Sequence, residues 1–424
     1  MLLNTACIEI WSAANVAFSL CPLLTLGAIE AMQSHATQSL KALYLAKLVS
    51  GEWTGTMNLT EPQAGSDVGA LKTRAEPAGD HYLITGQKIF ITWGEHDCAE
   101  NTIHMVLART PGAPEGTKGI SLFLVPKILL KADGSLGERN DLRCVSLEHK
   151  LGIHASPTCV MAFGDSGGAK GWLVGDENRG MACMFTMMNN ARLGVGVQGL
   201  AVAERAYQAA VAYAKARVQS RPIEALDGGA APIIRHPDVR RMLMTMKATI
   251  EAMRALAYTA VAALDKAKRH PDTEIRGRNQ ARVDLLTPVV KSWLTDCGCE
   301  LASLGVQVHG GMGYIEEAGA AQFFRDVRIT PIYEGTNGIQ ALDLLTRKLL
   351  RDEGAAVAAL LAEMEVTLGE LDSLPSADLA AIRTALADGV QALSATTDWL
   401  LEMGDKDLPR AAAGASPYLR LFGT

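Results

Sequence analysis

The strongest constraint on this chain is a double change of texture, from helical spacing to short β-branched runs and back again. Residues 1–51 read as helical, with Leu40, Leu43, Tyr44 and Leu48 placing an apolar stripe on one face. The character changes at Gly51. Between residues 52 and 175, Gly and Pro punctuate short runs: 81–85 and 89–92 on either side of Gly86, then 103–108, 120–125 and a final run at 159–163, with 111–119 reading as a loop. Such spacing predicts a small antiparallel β domain and not alternating βαβ units. After residue 176 helical spacing returns. Leu243, Met246, Ile250, Met253, Ala257, Ala260 and Leu264 alternate in steps of three and four, the core stripe of a helical bundle. From Arg351 onward an Ala/Leu-rich segment broken at Pro375 predicts an added helical hairpin that carries no chemistry. The expected fold class is α+β, mainly α: an N-terminal helical part (1–51), a middle antiparallel β domain (52–175), a C-terminal helical bundle (176–350) and an additional helical segment (351–424).

Composition narrows the function classes. With 48% hydrophobic and 20% charged residues, the chain of 424 residues has ample material for packed cores. A net charge of -6 argues against DNA or an anionic membrane as the main partner, since both select basic surfaces. The uncharged stretch 10–29 has the length of a membrane span, but Asn15, Pro22, Gly27 and three Ser or Thr residues interrupt it, and no basic residues precede it. A buried helix pair broken at Pro22 is expected, with no stable membrane insertion. Eight Cys, only Cys297 and Cys299 close together, form neither a zinc nor a disulfide framework and point to a reducing, cytoplasmic compartment. Nine His show no ligand spacing and no G-x-S-x-G occurs, so hydrolase and metal-enzyme readings are disfavoured.

One motif matches to the letter and is refused. Gly194-Val-Gly-Val-Gln-Gly199 reads G-x-G-x-x-G, but a dinucleotide fingerprint needs a strand immediately before it. Here Met-rich and Asn-rich residues precede it and a helical pattern follows, so the glycines are expected to let a neighbouring helix approach.

Three other elements carry a signal. Met57-Asn-Leu-Thr-Glu-Pro-Gln-Ala-Gly-Ser-Asp67 is a loop by composition, and its bland reading is a connection capped by Thr60 and Ser66. In Val308-His-Gly-Gly-Met-Gly-Tyr314, paired glycines expose bare backbone to a flat ligand or a phosphate, although a tight helix–helix turn needs the same residues. In Pro331-Ile-Tyr-Glu-Gly-Thr-Asn-Gly338, Glu334 stands in an apolar neighbourhood, where desolvation raises a carboxylate's proton affinity and makes it a useful base. Alone, it would read as a solvated loop acid.

Together these elements resemble the acyl-CoA dehydrogenase family. T-E-P-x-A-G-S-D at 60–67, G-x-K-x-[FW]-I-T at 86–92, A-S-P-T at 155–158, Q-V-x-G-G at 307–311 and Y-E-G-T at 333–336 occur in the family's order, and the resemblance covers roughly residues 40–350. It implies that family's fold, with FAD lying between the middle β domain and a C-terminal four-helix bundle. Residue by residue, it implies that Leu59, Thr60, Gly65 and Ser66 line the flavin, with Ser66 also approaching the substrate's pantetheine. Phe90, Ile91 and Thr92 would flank the isoalloxazine, Phe90 standing where many members have Trp. Arg217 would reach a neighbouring subunit's FAD pyrophosphate, Gln307, Gly310 and Gly311 would form the corresponding Gly-rich contact, and Thr336 would bind FAD beyond the base. Asn189, Arg192, Tyr333 and Gly335 would contact the acyl-CoA.

Glu334 then becomes the catalytic base, removing the α-proton while the β-hydride passes to flavin N5. Some members place their base immediately before the Arg matching Arg192; that position here is Ala191, which cannot serve. The resemblance further implies electron transfer flavoprotein as electron acceptor and a homodimer or homotetramer. Departures are Pro237 beside His236, where many members have Gln, and Gly338 after Asn337 in place of a polar residue. Only about forty residues precede the resemblance, and the C-terminal residues 419–424 read as helix interior, so a fragment or split reading frame is expected. Tyr333-Glu-Gly-Thr-Asn-Gly-Ile-Gln340 and the segment after it resemble the branch that includes 3-methylmercaptopropionyl-CoA dehydrogenase, suggesting a short, thioether-bearing acyl-CoA. Cys183 and the Met cluster at 184–188 would line an acyl cavity or simply fill core. Rival readings are an acyl-CoA oxidase and an inactive truncated member. The family's DNA-binding relatives are disfavoured by the acidic 351–424 segment.

Overall fold

The computed structural model describes residues 1–224, 228–374 and 376–424; Pro375, the expected helix break, lies outside the described residues. By contacts the chain forms two compact units, one of residues 14–191 and one joining 1–13 to 192–424. The first helix, α1 (Leu2–His35), changes unit near Asn15, whose φ of -158° and ψ of 93° kink it. The break therefore falls at Asn15 and not at Pro22, which stays inside the helix. Asn15 suits that place because its side chain takes over the capping role, accepting from the Phe18 N–H at 3.0 Å. The helix is long and apolar enough to cross a membrane, yet 67% of its most apolar window is buried inside the protein.

In the unit 14–191, α1 is followed by α2 (Gln38–Leu40) and α3 (Ala46–Ser50), joined by a π turn over Lys41–Leu45. Leu40, Tyr44 and Leu48 are buried as the spacing predicts, while Leu43 is exposed. Ten strands follow: β1 (Trp53–Asn58), β2 (Arg74–Ala78), β3 (His81–Thr92), β4 (Asn101–Ala108), β5 (Ser121–Pro126), β6 (Ile128–Leu130), β7 (Leu136–Arg139), β8 (Leu142–Leu147), β9 (Thr158–Phe163) and β10 (Ala169–Val174). The expected runs 81–85 and 89–92 are one strand, bent by a bulge between Lys88 and Ile91 and not broken at Gly86. A further strand, β10, follows 159–163. The main sheet runs β1-β4-β5-β10-β3-β9-β8 with β2 on β3. Its pairs are antiparallel except β1 with β4, which is parallel because β2 and β3 carry the chain back between them.

Side chains along β4 alternate between two cores with the two-residue period of a strand. Ile103, Met105 and Leu107 join Leu24, Met32, Tyr44 and Trp53 on one face, while Val106 and Ala108 join Ile84, Phe123 and Phe163 on the other. Gly55 lets α1 approach β1, since a Cβ there would lie 2.5 Å from that of Ala28. Cys183, Met184 and Met187 belong to the first of these cores, so they fill core as Met runs usually do.

In the other unit the helices are α4 (Gly180–Ala216, entering at Arg192), α5 (Pro237–Arg269), α6 (Thr273–His309), α7 (Ala320–Val327) and α8 (Asn337–Asp343), which runs into a π turn over Leu344–Leu349. The apolar stripe on α5 is buried throughout, from Leu243 to Leu264. Among the described residues from 355 onward there are three helices, α9 (Ala355–Asp372), α10 (Ala377–Lys406) and α11 (Leu408–Gly423), where a hairpin was expected. The extra turn comes at Asp407, whose carboxylate caps α11 by accepting from the Arg410 N–H at 3.1 Å just ahead of Pro409.

The refused glycine motif lies within α4. A Cβ on Gly199 would stand 2.8 Å from the Leu294 carbonyl oxygen, and one on Gly298 2.8 Å from that of Gly199, so α4 and α6 cross backbone against backbone.

Candidate active site

Within the unit 192–424, the turn between α7 and α8 carries Glu334 on a left-handed backbone, with φ of +56° at Glu334 and +84° at Gly335. Gly335 is required there. Its φ suits glycine, and a Cβ would meet Gln340 Nε2 at 2.8 Å. That fully buried glutamine spans the turn, its Nε2 donating to the carbonyl oxygens of Glu334 and Gly335 at 3.3 Å each. Thr336 caps α8 by accepting from the Ile339 N–H at 3.3 Å. The Tyr333 hydroxyl donates to Gln198 Oε1 on α4, and burial pushes that phenol's proton affinity up.

Glu334 is half-buried, and burial raises its carboxyl from 4.5 to about 7 against the opposing pull of Arg192 and Lys291. Both cations come from helix interiors. Arg192 on α4 is 5% exposed, and its guanidinium pairs with Asp343 of α8 at 3.5 Å. Burial draws its proton affinity down, while Asp343 and Glu334 oppose the shift. Lys291 on α6 is fully buried, and its ammonium donates to Asn337 Oδ1 at 2.8 Å. Burial draws it down to about 7, with Glu334 and Asp296 opposing. A carboxylate titrating near neutrality beside two enclosed cations is equipped for proton abstraction.

At the far end of the α4/α6 pair, Tyr213 and His309 pack at a 30° tilt with ring centroids 4.4 Å apart. This contact places the C-terminal end of α4, where Arg217 is exposed, beside the exposed Gln307, Gly310 and Gly311. No atom lies within 4 Å of the Cβ positions of Gly310 and Gly311, so their backbone is open, as an anionic group requires. Pro237 occupies the first turn of α5, where its missing N–H costs nothing, and the neighbouring His236 Nε2 meets the Gln219 carbonyl at 2.8 Å.

The unit 14–191 brings its own expected residues together. The loop after β1 holds the buried Leu59, the half-buried Thr60 and the exposed Gly65 and Ser66. It is tied to β3 by the Ile89 N–H donating to the Thr60 carbonyl at 2.9 Å and by the buried Lys88 donating to the Leu59 carbonyl at 3.0 Å. Lys88 also pairs with Glu61 at 2.8 Å, and Glu61 accepts from the Lys72 and Thr73 N–H groups at 2.7 and 3.0 Å. On β3, Ile91 is buried and Thr92 half-buried, while Phe90 has φ of +59° and is 59% exposed. A left-handed bulge that turns an aromatic ring outward beside a hydroxyl-bearing, open-backbone loop is a surface a flavin ring would cover. Those residues fit FAD. Asn189 lies exposed on α4, and Ala191 is buried.

Sequence reasoning passed over Lys291, Gln340, Asp343 and Gln198. Lys291 had a readable signal as the lone charge in the apolar run 285–294, whereas the others show only once the helices pack.

Comparisons with known proteins bear on the family. Residues 56–166 match "Acyl-CoA dehydrogenase, middle domain", residues 178–349 match "Acyl-CoA dehydrogenase, C-terminal domain", and residues 357–424 match "Acetyl-CoA dehydrogenase C-terminal like". A 3-methylmercaptopropionyl-CoA dehydrogenase of Ruegeria pomeroyi is 52% identical over 423 residues, covering 100% of this chain and 71% of that protein. A butyryl-CoA dehydrogenase of Syntrophomonas wolfei is 41% identical over 364 residues, covering 84% of this chain and 60% of its own length. The structure of butyryl-CoA dehydrogenase from Megasphaera elsdenii superposes with a TM-score of 0.62 at 27% identity, covering 80% of this chain and 79% of that one. Motifs, fold and relatives converge: the chain belongs to the acyl-CoA dehydrogenase family of FAD-dependent oxidoreductases.

Proposed function

We propose that the protein oxidises a short acyl-CoA thioester to its trans-2-enoyl-CoA, with Glu334 as the base that removes the α-proton. The observation that carries this reading is the Glu334 carboxyl, raised to about 7 by burial on the turn where the family's Y-E-G-T motif stands. A thioester α-proton is a weak acid, so the base must be both near and able to hold a proton at neutral pH. Gln340 and Gly335 hold the carboxylate's turn, Arg192 and Lys291 keep a negative charge tolerable there, and the Tyr333 hydroxyl ties the same turn to Gln198 of α4. FAD, when bound, supplies the acceptor for the β-hydride. Leu59, Thr60, Gly65, Ser66, Phe90, Ile91, Thr92 and Thr336 are the residues to hold its flavin end, and Arg217 with Gln307, Gly310 and Gly311 the pyrophosphate of a neighbouring subunit's FAD in a homodimer or homotetramer. Ser66, Asn189 and Arg192 would approach the acyl-CoA. The 52% identity to a 3-methylmercaptopropionyl-CoA dehydrogenase favours a short thioether acyl chain as substrate. Electron transfer flavoprotein is the proposed acceptor, and a dehydrogenase is preferred to an oxidase on the names of these relatives.

The test is the visible spectrum of the purified protein during anaerobic titration with 3-methylmercaptopropionyl-CoA and butyryl-CoA. Bleaching of the flavin bands by either, abolished in Glu334→Gln with FAD retained, is the expected result. A Glu334→Gln variant that bleaches at the native rate would overturn the base assignment. Activity should also rise with pH through about 7 as the carboxyl ionises.

A further inference from the structure

We propose that Lys291 is a positioning residue for this reaction: through Asn337 it clamps the turn that carries Glu334 to α6, and its ammonium is a second enclosed cation facing that carboxylate. The inference rests on the reading of Glu334 as the base. Its geometric ground is Asn337, the first residue of α8, whose two amide ends are both engaged by α6. Asn337 Oδ1 accepts from Lys291 Nζ at 2.8 Å. Asn337 Nδ2 donates to Asp296 Oδ1 at 2.7 Å and to the Ser292 carbonyl at 3.2 Å. The Asn337 N–H, in turn, donates to the Pro331 carbonyl at 3.0 Å and closes the turn from the other end. Glu334 therefore sits on a seven-residue loop whose exit is pinned to one turn of α6.

A fully buried lysine is costly unless its charge is used, because the ammonium gives up its hydration. Replacing it by an apolar side chain of similar length would remove that cost, so the clamp alone does not explain the charge. The charged groups that act on Glu334, Arg192, Lys291 and Asp296 are Arg192 from α4, Lys291, Asp296 and Glu300 from α6, Asp343 from α8, Arg347 from the following π turn and Arg420 of α11. Arg192 already shares its charge with Asp343, and Arg347 also lies against that carboxylate, at 3.4 Å. Among the described residues Lys291 makes no ion pair of that kind; its hydrogen bond is to a neutral amide, and Glu334 heads the charges acting on it.

The test compares Lys291→Met, Lys291→Gln and Lys291→Arg with the native protein and Glu334→Gln, reading FAD content, KM and the pH profile of kcat. Loss of an opposite charge raises a carboxylate's proton affinity by about one pH unit or more. The acid limb should therefore move up by roughly one unit in the Met and Gln variants, so that kcat falls about tenfold more near pH 6 than near pH 9, where the remaining loss reports the clamp. FAD content and KM should stay near native, and the Arg variant should keep the native midpoint. A limb that stays put in both neutral variants would overturn the proposal. If the Met variant fails to fold, the Gln and Arg pair decides in the same way. Native turnover by Glu334→Gln would instead sink the base assignment itself, which separates the two failures.

Discussion

Two consecutive residues with positive φ do most to define the reactive carboxylate. Glu334 bears a steric cost that few non-glycine residues accept, while Gly335 beside it, having no Cβ, bears none. Such strain persists only where surrounding contacts over-determine it, here the Gln340 amide on both carbonyls and the Thr336 cap. Gly335→Ala should lower stability by about 1–2 kcal/mol from the left-handed backbone alone, and it should push Gln340 aside because of the 2.8 Å approach. Thermal melts would report the first effect. The second should appear as a kcat loss larger than any change in KM, and native kcat would show that the turn tolerates rearrangement.

Among elements, the β1 loop depends on the ion pair of Glu61 and Lys88, both essentially buried. Burial draws Lys88 down to about 8, while the amine and the Thr73 and Lys72 donors hold Glu61 at about 2, so the pair is ionised at neutral pH. A carboxyl held below its ordinary value adds stability that is present above the unfolded value near 4.5 and disappears as pH falls through about 2. Glu61→Gln leaves the lysine charge buried and should cost about 3–5 kcal/mol, read in denaturant unfolding; a loss below 1 kcal/mol would mean that Lys88 sheds its proton instead. The Thr60-Glu61-Pro62 and Gly86-Gln87-Lys88 pieces were legible in the sequence because they are contiguous and chemically distinctive. Their pairing was not, because the two pieces lie more than twenty residues apart and meet only when the loop after β1 packs on β3. The Asn15 kink was hidden too, because it depends on a side-chain cap and not on the proline nearby. The apolar stripe on α5 was fully legible because periodicity alone determines it.

On the scale of the whole molecule, the exposed end of the α4/α6 pair is the place where assembly and cofactor retention would meet. Arg217→Ala should reduce FAD retained after gel filtration, through loss of a charge-assisted contact to phosphate, while leaving circular dichroism unchanged. Unchanged FAD content would remove the inter-subunit role from this residue. The division of the chain into two units has another consequence. Residues 1–13 fold with 192–424, and Glu9 accepts from Arg254 Nε and from the Tyr258 hydroxyl at 2.8 Å each. During synthesis Glu9 therefore leaves the ribosome 245 residues ahead of the arginine it will meet. The contiguous unit 14–191 can collapse in the interval, since domains tend to fold as units while the chain emerges. The opening turns of α1 then stay undocked, with the Glu9 carboxylate unpartnered by Arg254 and Tyr258, until α5 arrives. These turns are thus among the later parts of the chain to find their place, and they are where a nascent-chain chaperone would have a long opportunity to bind.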